Sequence, residues 1–203
     1  MRCHYTPARA WEPLSEKEWA ALAPFIRRQG PGRPVRDPRA RLDACFRAAT
    51  SGEAWARIEA SPFRPDTVHR QFRRWAHAGL WTRLLRAVAR RRPPTVLRRL
   101  AHWICRAYRR ALRLLGLAGI VLARRLGLLS ALPGPPWMLP DPDLSATVFR
   151  ALGRALQRLR EELGEPWPRP SILRARRALL RRYRRVLGIV AGRRWIPRCL
   201  APA

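Results

Sequence analysis

Apolar positions recur at helical spacing along most of this chain. Residues 14–18, LSEKE, form a capping box in which Ser15 meets the amide of Glu18 and Glu18 reaches back, with Leu14 and Trp19 as a hydrophobic staple. A first helix follows, striped by Trp19, Leu22 and Ile26, after a loose lead-in over residues 1–13. Residues 27–38 hold too many glycines and prolines for a helix. Asp37 and Pro38 then start a second helix, whose stripe Leu42, Cys45, Phe46 and Ala49 stops at Gly52. The pattern predicts a short third helix over 53–60 carrying Trp55 and Ile58. A fourth spans 66–79, with Asp66 as cap, Val68, Phe72 and Trp75 at i, i+4 and i+7, and Gly79 at its end. A fifth, over 80–90, presents Trp81, Leu84, Leu85 and Val88 on one side.

The second half keeps the same period. From 96 to 115, Leu97, Leu100, Ile104, Tyr108 and Leu112 oppose Arg98, Arg99, Arg106, Arg109, Arg110 and Arg113. Residues 114–123 are apolar or small, but Arg124 and Arg125 end the run after ten residues, too few to cross a bilayer. LPGPPWMLPDPD, 132–143, reads as a rigid linker, followed by a helix over 144–164 and a last one capped by Ser171. The expected fold is all-α. A helix-turn-helix-like domain covers 14–90, a basic amphipathic segment 96–131, the linker 132–143, and a two-helix basic segment 144–191.

Charge sharpens this picture. The formal net charge is +30 over 203 residues, and Lys17 is the only lysine, so the excess is guanidinium. So basic a surface repels itself unless polyanions screen it, which points to nucleic acid or an anionic membrane. A G- and C-rich genome would also raise arginine, but it does not explain so few acids. Cys3, Cys45, Cys105 and Cys199 have no metal-binding spacing, and Cys45 lies on an apolar stripe; no cofactor or metal is expected, and a reduced, cytoplasmic setting near the nucleoid is.

The fourth helix carries the candidate chemistry. Opposite its apolar stripe lie His69, Arg70, Arg73, Arg74 and His77. Arg70, Arg73 and Arg74 suit the major groove or its flanking phosphates, with His69 and Gln71 as base readers. In the loop before the second helix, glycine and proline around Arg33 hold the backbone thin and extended. Arg33 and Arg36 are therefore candidates for a minor-groove or backbone contact. A short helix, a turn and then a basic helix is the order of a helix-turn-helix.

The blocks LSEKEWAALAPFI, GRPVRDPRARLDACFRAATSGEAW and TVHRQFRRWAHAGLWTRLLRAV resemble, in order and spacing, the N-terminal domain of bacterial insertion-sequence transposases of the insertion-sequence-five group, across residues 14–89. The resemblance implies a helical DNA-binding part that recognises element ends. It also implies a following RNase-H-like core, where three acids on a mixed sheet hold divalent metals. This chain reads ARRRPPTVLRRLAHW instead, with Asp66 the only acid between Glu59 and Asp141, and arginines cannot position metal ions.

The expected function is thus double-stranded DNA binding, with insertion-element terminal repeats as the implied target and no catalysis: a transposase remnant, or a regulator competing with full-length transposase. A homo-oligomer is left open. The alternatives are an active transposase subunit completed by a second reading frame and a basic peripheral membrane protein using residues 96–125. RNA binding is less attractive because few aromatics look free to stack on bases.

Overall fold

The computed structural model describes residues 4–26, 35–58, 62–162 and 170–190. Among them no strand forms beyond an isolated bridge between His4 and Leu128, so the fold is all-α as expected. The chain divides into two compact units, Met1–Pro133 and Gly134–Ala203.

In the first unit, α1 (Glu16–Leu22) opens on the capping box: Ser15 Oγ accepts from Glu18 N at 3.3 Å and Glu18 Oε2 accepts from Ser15 N at 3.1 Å. Burial works to raise the Glu18 carboxyl, but the Arg9 hydrogen bond at 2.7 Å and the Ser15 amide and hydroxyl outweigh it and hold the group below its usual value. That contribution to stability exists above the ordinary carboxylate range and is lost as pH falls through the folded value. After a 3-10 turn at Ala23–Phe25 the chain reaches α2 (Pro38–Ser51). Asp37, in left-handed backbone at φ 46, caps α2 by accepting from Ala40 N at 3.0 Å, and Gly52 ends it at φ 77.

The predicted third helix is a single 3-10 turn, Trp55–Arg57; residues 59–61 lie outside the described residues. One turn already buries Ile58 and sets Trp55 against Phe72, ring centroids 4.9 Å apart, so the local apolar groups need no further helix. α3 is Pro65–His77. Its cap is Arg64, without a side-chain bond, while Asp66 lies inside the first turn, where its charge suits the positive end of the helix dipole. Two residues, Ala78 and Gly79, link α3 to α4 (Leu80–Val88). α3 and α4 are thus joined by a two-residue turn.

Gly79 takes φ +73, and a Cβ there would meet only Arg83 Nη1, at 3.5 Å. Space is adequate, so the cost of Gly79→Ala is conformational. We expect a loss of about 1–2 kcal/mol, read as a lower urea midpoint at unchanged m-value.

The unit does not stop near residue 90. α5 (Thr95–Arg99) leads into α6 (Ala101–Arg125), which breaks helical geometry at Gly116 (φ 60, ψ −148), where the sequence shows two overlapping apolar runs. α6 packs on α2, α3 and α4 and buries Trp103, Ile104, Tyr108 and Leu112. Phe46 lies between two tryptophans, 6.1 Å from Trp81 and 5.9 Å from Trp103. Three buried donors find carbonyl partners: Trp81 Nε1 donates to Phe72 O at 3.3 Å, Trp103 Nε1 to Arg9 O and Ala10 O at 3.2 Å, and Tyr108 OH to Gly119 O at 3.0 Å. The lead-in, expected to be loose, is strapped down as well. Thr6 N donates to Ser130 Oγ at 2.8 Å, and His4 N to Gly127 O at 2.9 Å. Cys45 and Cys105 are buried; burial pushes the Cys45 thiol far up and the Cys105 thiol to about 12, so neither supplies a thiolate near neutral pH.

The second unit holds α7 (Pro142–Glu162) and α8 (Pro170–Val190), which pack together. Asp141 caps α7 by accepting from Leu144 N at 3.0 Å. Within the predicted linker, Pro136–Met138 forms a 3-10 turn that packs on α8. Two helices cannot enclose every apolar position: Val148 is buried, whereas Phe149, Leu156 and Leu179 stay exposed. Among the described residues, no helix is long and apolar enough to cross a membrane.

Candidate nucleic-acid interface

The period of α3 sorts its side chains onto two faces. Val68, Gln71, Phe72, Trp75 and Ala76 are buried; Asp66, Arg70, Arg73, Arg74 and His77 are exposed. The buried face is pinned by aromatic contacts, with Phe72 4.8 Å and Trp75 6.3 Å from Trp81 between centroids. The exposed arginines therefore stand on a helix that cannot rotate without dismantling the core. Ion pairs cluster around α1 and the lead-in, where Arg9 meets Glu12 and Glu18 and Arg39 meets Glu16. Arg70, Arg73 and Arg74 have no carboxylate at ion-pair distance among the described residues, so their donors face water.

The remaining sequence candidates are dispersed. Gln71 is only 4% exposed and points into the core, so its amide is not offered beside the arginines. Helical spacing explains this, since Gln71 follows Val68 by three residues and precedes Trp75 by four. His69 is half-buried and stacks on Trp55 at 5.0 Å. Burial, then the nearby Arg73 and Arg110, hold His69 below the usual histidine range, so near neutral pH it is an uncharged imidazole with one donor and one acceptor. Arg36 is exposed just ahead of α2; Arg33 lies outside the described residues.

Two arginines outside the predicted set shape this surface. Arg110 of α6, expected on a solvated face, lies over Trp55 at 4.3 Å and donates to the carbonyls of Ala48 and Glu53. It closes the end of α2 and backs the ring on which His69 stacks. Arg83 of α4 donates to Ala78 O at 2.6 Å and to Phe25 O at 3.0 Å, tying the turn after α3 to the turn after α1. No local signal marks Arg110, because its partners lie more than fifty residues away. Arg83 was traceable only through its helical spacing with Arg86 and Arg90.

Chemically, the exposed face of α3 is a fixed row of guanidinium forks suited to phosphate oxygens and purine edges. No curated protein and no solved structure matches the chain. The resemblance read over residues 14–89 is borne out: residues 14–85, from the capping box into α4, match the family described as "Putative transposase of IS4/5 family (DUF4096)".

Proposed function

We propose that this protein is a transposase-derived binder of double-stranded DNA whose reading element is α3, and that it binds without cutting. The observation that carries the reading is the pairing of three exposed arginines, Arg70, Arg73 and Arg74, with an opposite face locked into an aromatic core. In this reading α2 braces α3 in a helix-turn-helix-like manner, α3 meets the major groove, and Arg36 with Arg33 supplies a flanking backbone or minor-groove contact. The family match over residues 14–85 supports insertion-element terminal repeats as the target.

Support for binding without cleavage comes from how the carboxylates are used. Glu16 pairs with Arg39 and Glu18 with Arg9. Asp37 caps α2, and Asp141 caps α7. Asp43, its carboxyl raised by burial, accepts from Trp11 Nε1 and Leu14 N. Acids committed to caps and pairs on separate helices do not assemble a two-metal site.

Selection of duplexes bound by the full chain from a random pool, at about 0.15 M salt, tests the reading. A reproducible motif is expected. Enrichment of none, with retention that merely tracks ionic strength, would leave a generic polycation and end the proposal.

A further inference from the structure

The outward face of α4 carries a second arginine row. Leu80, Trp81, Leu84, Leu85 and Val88 are buried, which fixes the rotation of the helix. Arg83, Arg86 and Arg90 then follow at i, i+3 and i+7 on one side. With Pro24, Phe25 and Ala87 they line a groove of about 300 Å³ that contains no acid. Arg83 is held in place by its two carbonyl partners, while Arg86 and Arg90 are exposed and have no carboxylate at ion-pair distance among the described residues. Three guanidiniums in one groove repel one another, and an anion with several oxygens relieves the repulsion while using their paired donors.

We propose that this groove binds a phosphate group, and that in the DNA complex the group is a backbone phosphate lying past the C-terminal end of α3. The placement follows from Arg83, which grips the carbonyl of Ala78, the residue after His77. The reading face would thus continue from α3 onto α4, and the two arginine rows would share one duplex. This inference rests on the DNA-binding reading, and its test separates the two.

The full chain and its R86Q/R90Q variant are compared by fluorescence anisotropy on a labelled duplex over a range of salt, after circular dichroism and Tm show the variant folded. Losing one phosphate contact lowers the slope of log K against log salt by about 0.9, so the double change, which takes two of the three arginines from the one phosphate, should lower it by about 0.9. An unchanged slope, with wild-type protein binding DNA, overturns the inference and assigns both arginines to the C-terminal dipole of α4. If the wild-type protein does not bind duplex at all, the DNA reading fails and calorimetric titration with inorganic pyrophosphate decides the groove. Saturable heat that disappears in R86Q/R90Q would keep the anion site with a free phosphate compound as its ligand; no such heat would overturn it.

Discussion

Changing Arg70, Arg73 and Arg74 together to alanine should weaken duplex binding at least about a hundred-fold while leaving the fold intact. An arginine contact to a base is worth about 1–3 kcal/mol, so three at the low end give about 3 kcal/mol, or roughly 150-fold. If all three contact phosphates instead, the salt slope should fall by about 2.7. Those two outcomes differ. Base contacts would flatten the preference for the selected motif over scrambled sequence, whereas phosphate contacts would weaken both alike. Fluorescence anisotropy with motif and scrambled duplexes, each across a salt series, reads both. Stability should barely move, because all three side chains are exposed and arginine and alanine are both good helix formers. Gln71→Ala is the useful contrast: its side chain is in the core, so its effect should appear in Tm and not in motif preference. A folded triple variant that binds within about threefold of wild type would remove α3 as the reading element.

How much of this was legible in the sequence depends on distance along the chain. The stripe of α2 was readable in full, and Leu42, Cys45, Phe46 and Ala49 are all buried, because a helix that packs one face must repeat at its own period. Gly52 and Gly79 marked real ends for an equally local reason, the left-handed backbone each adopts. Arg70, Arg73 and Arg74 were placed correctly on the exposed face of α3 by the same logic. The amide of Gln71 suits a base edge, but its helical angle groups it with the buried Val68 and Trp75. Pairings between distant segments left no trace in the pattern. Nothing near Thr6 announces Ser130, and nothing near Ala48 announces Arg110. The run Arg90–Pro94 only turns the chain into α5, and the compact unit that begins with the lead-in continues to Pro133.

That further stretch leads to the second large effect: a chain cut after residue 90 should fail to fold, although it contains the whole segment that matches the transposase family. The cut removes Leu97, Leu100, Trp103, Ile104, Tyr108 and Leu112, all buried against the rest of the unit. At about 1.5–3 kcal/mol for each large apolar side chain, the loss is on the order of 9–18 kcal/mol, an upper bound because unfolded chains retain some burial. Domains of this size have a net stability of only about 5–15 kcal/mol, so little or nothing would remain. The cut also takes Ser130 from the lead-in and Arg110 from the end of α2, and it uncovers Phe46 on its Trp103 side. Fragments 1–90 and 1–133 compared by thermal and urea unfolding should differ in kind, with a cooperative transition only in the longer one. Within the full chain, Trp103→Ala should cost about 3–5 kcal/mol, since it empties a fully buried site and removes the partner of Phe46 and of the Arg9 guanidinium, 4.2 Å from the ring centroid. A cooperative melt of fragment 1–90 close to that of 1–133 would show that α6 merely rests on a domain complete without it. The expected failure of the short fragment instead makes α6 part of what holds α3 and its exposed arginines in position.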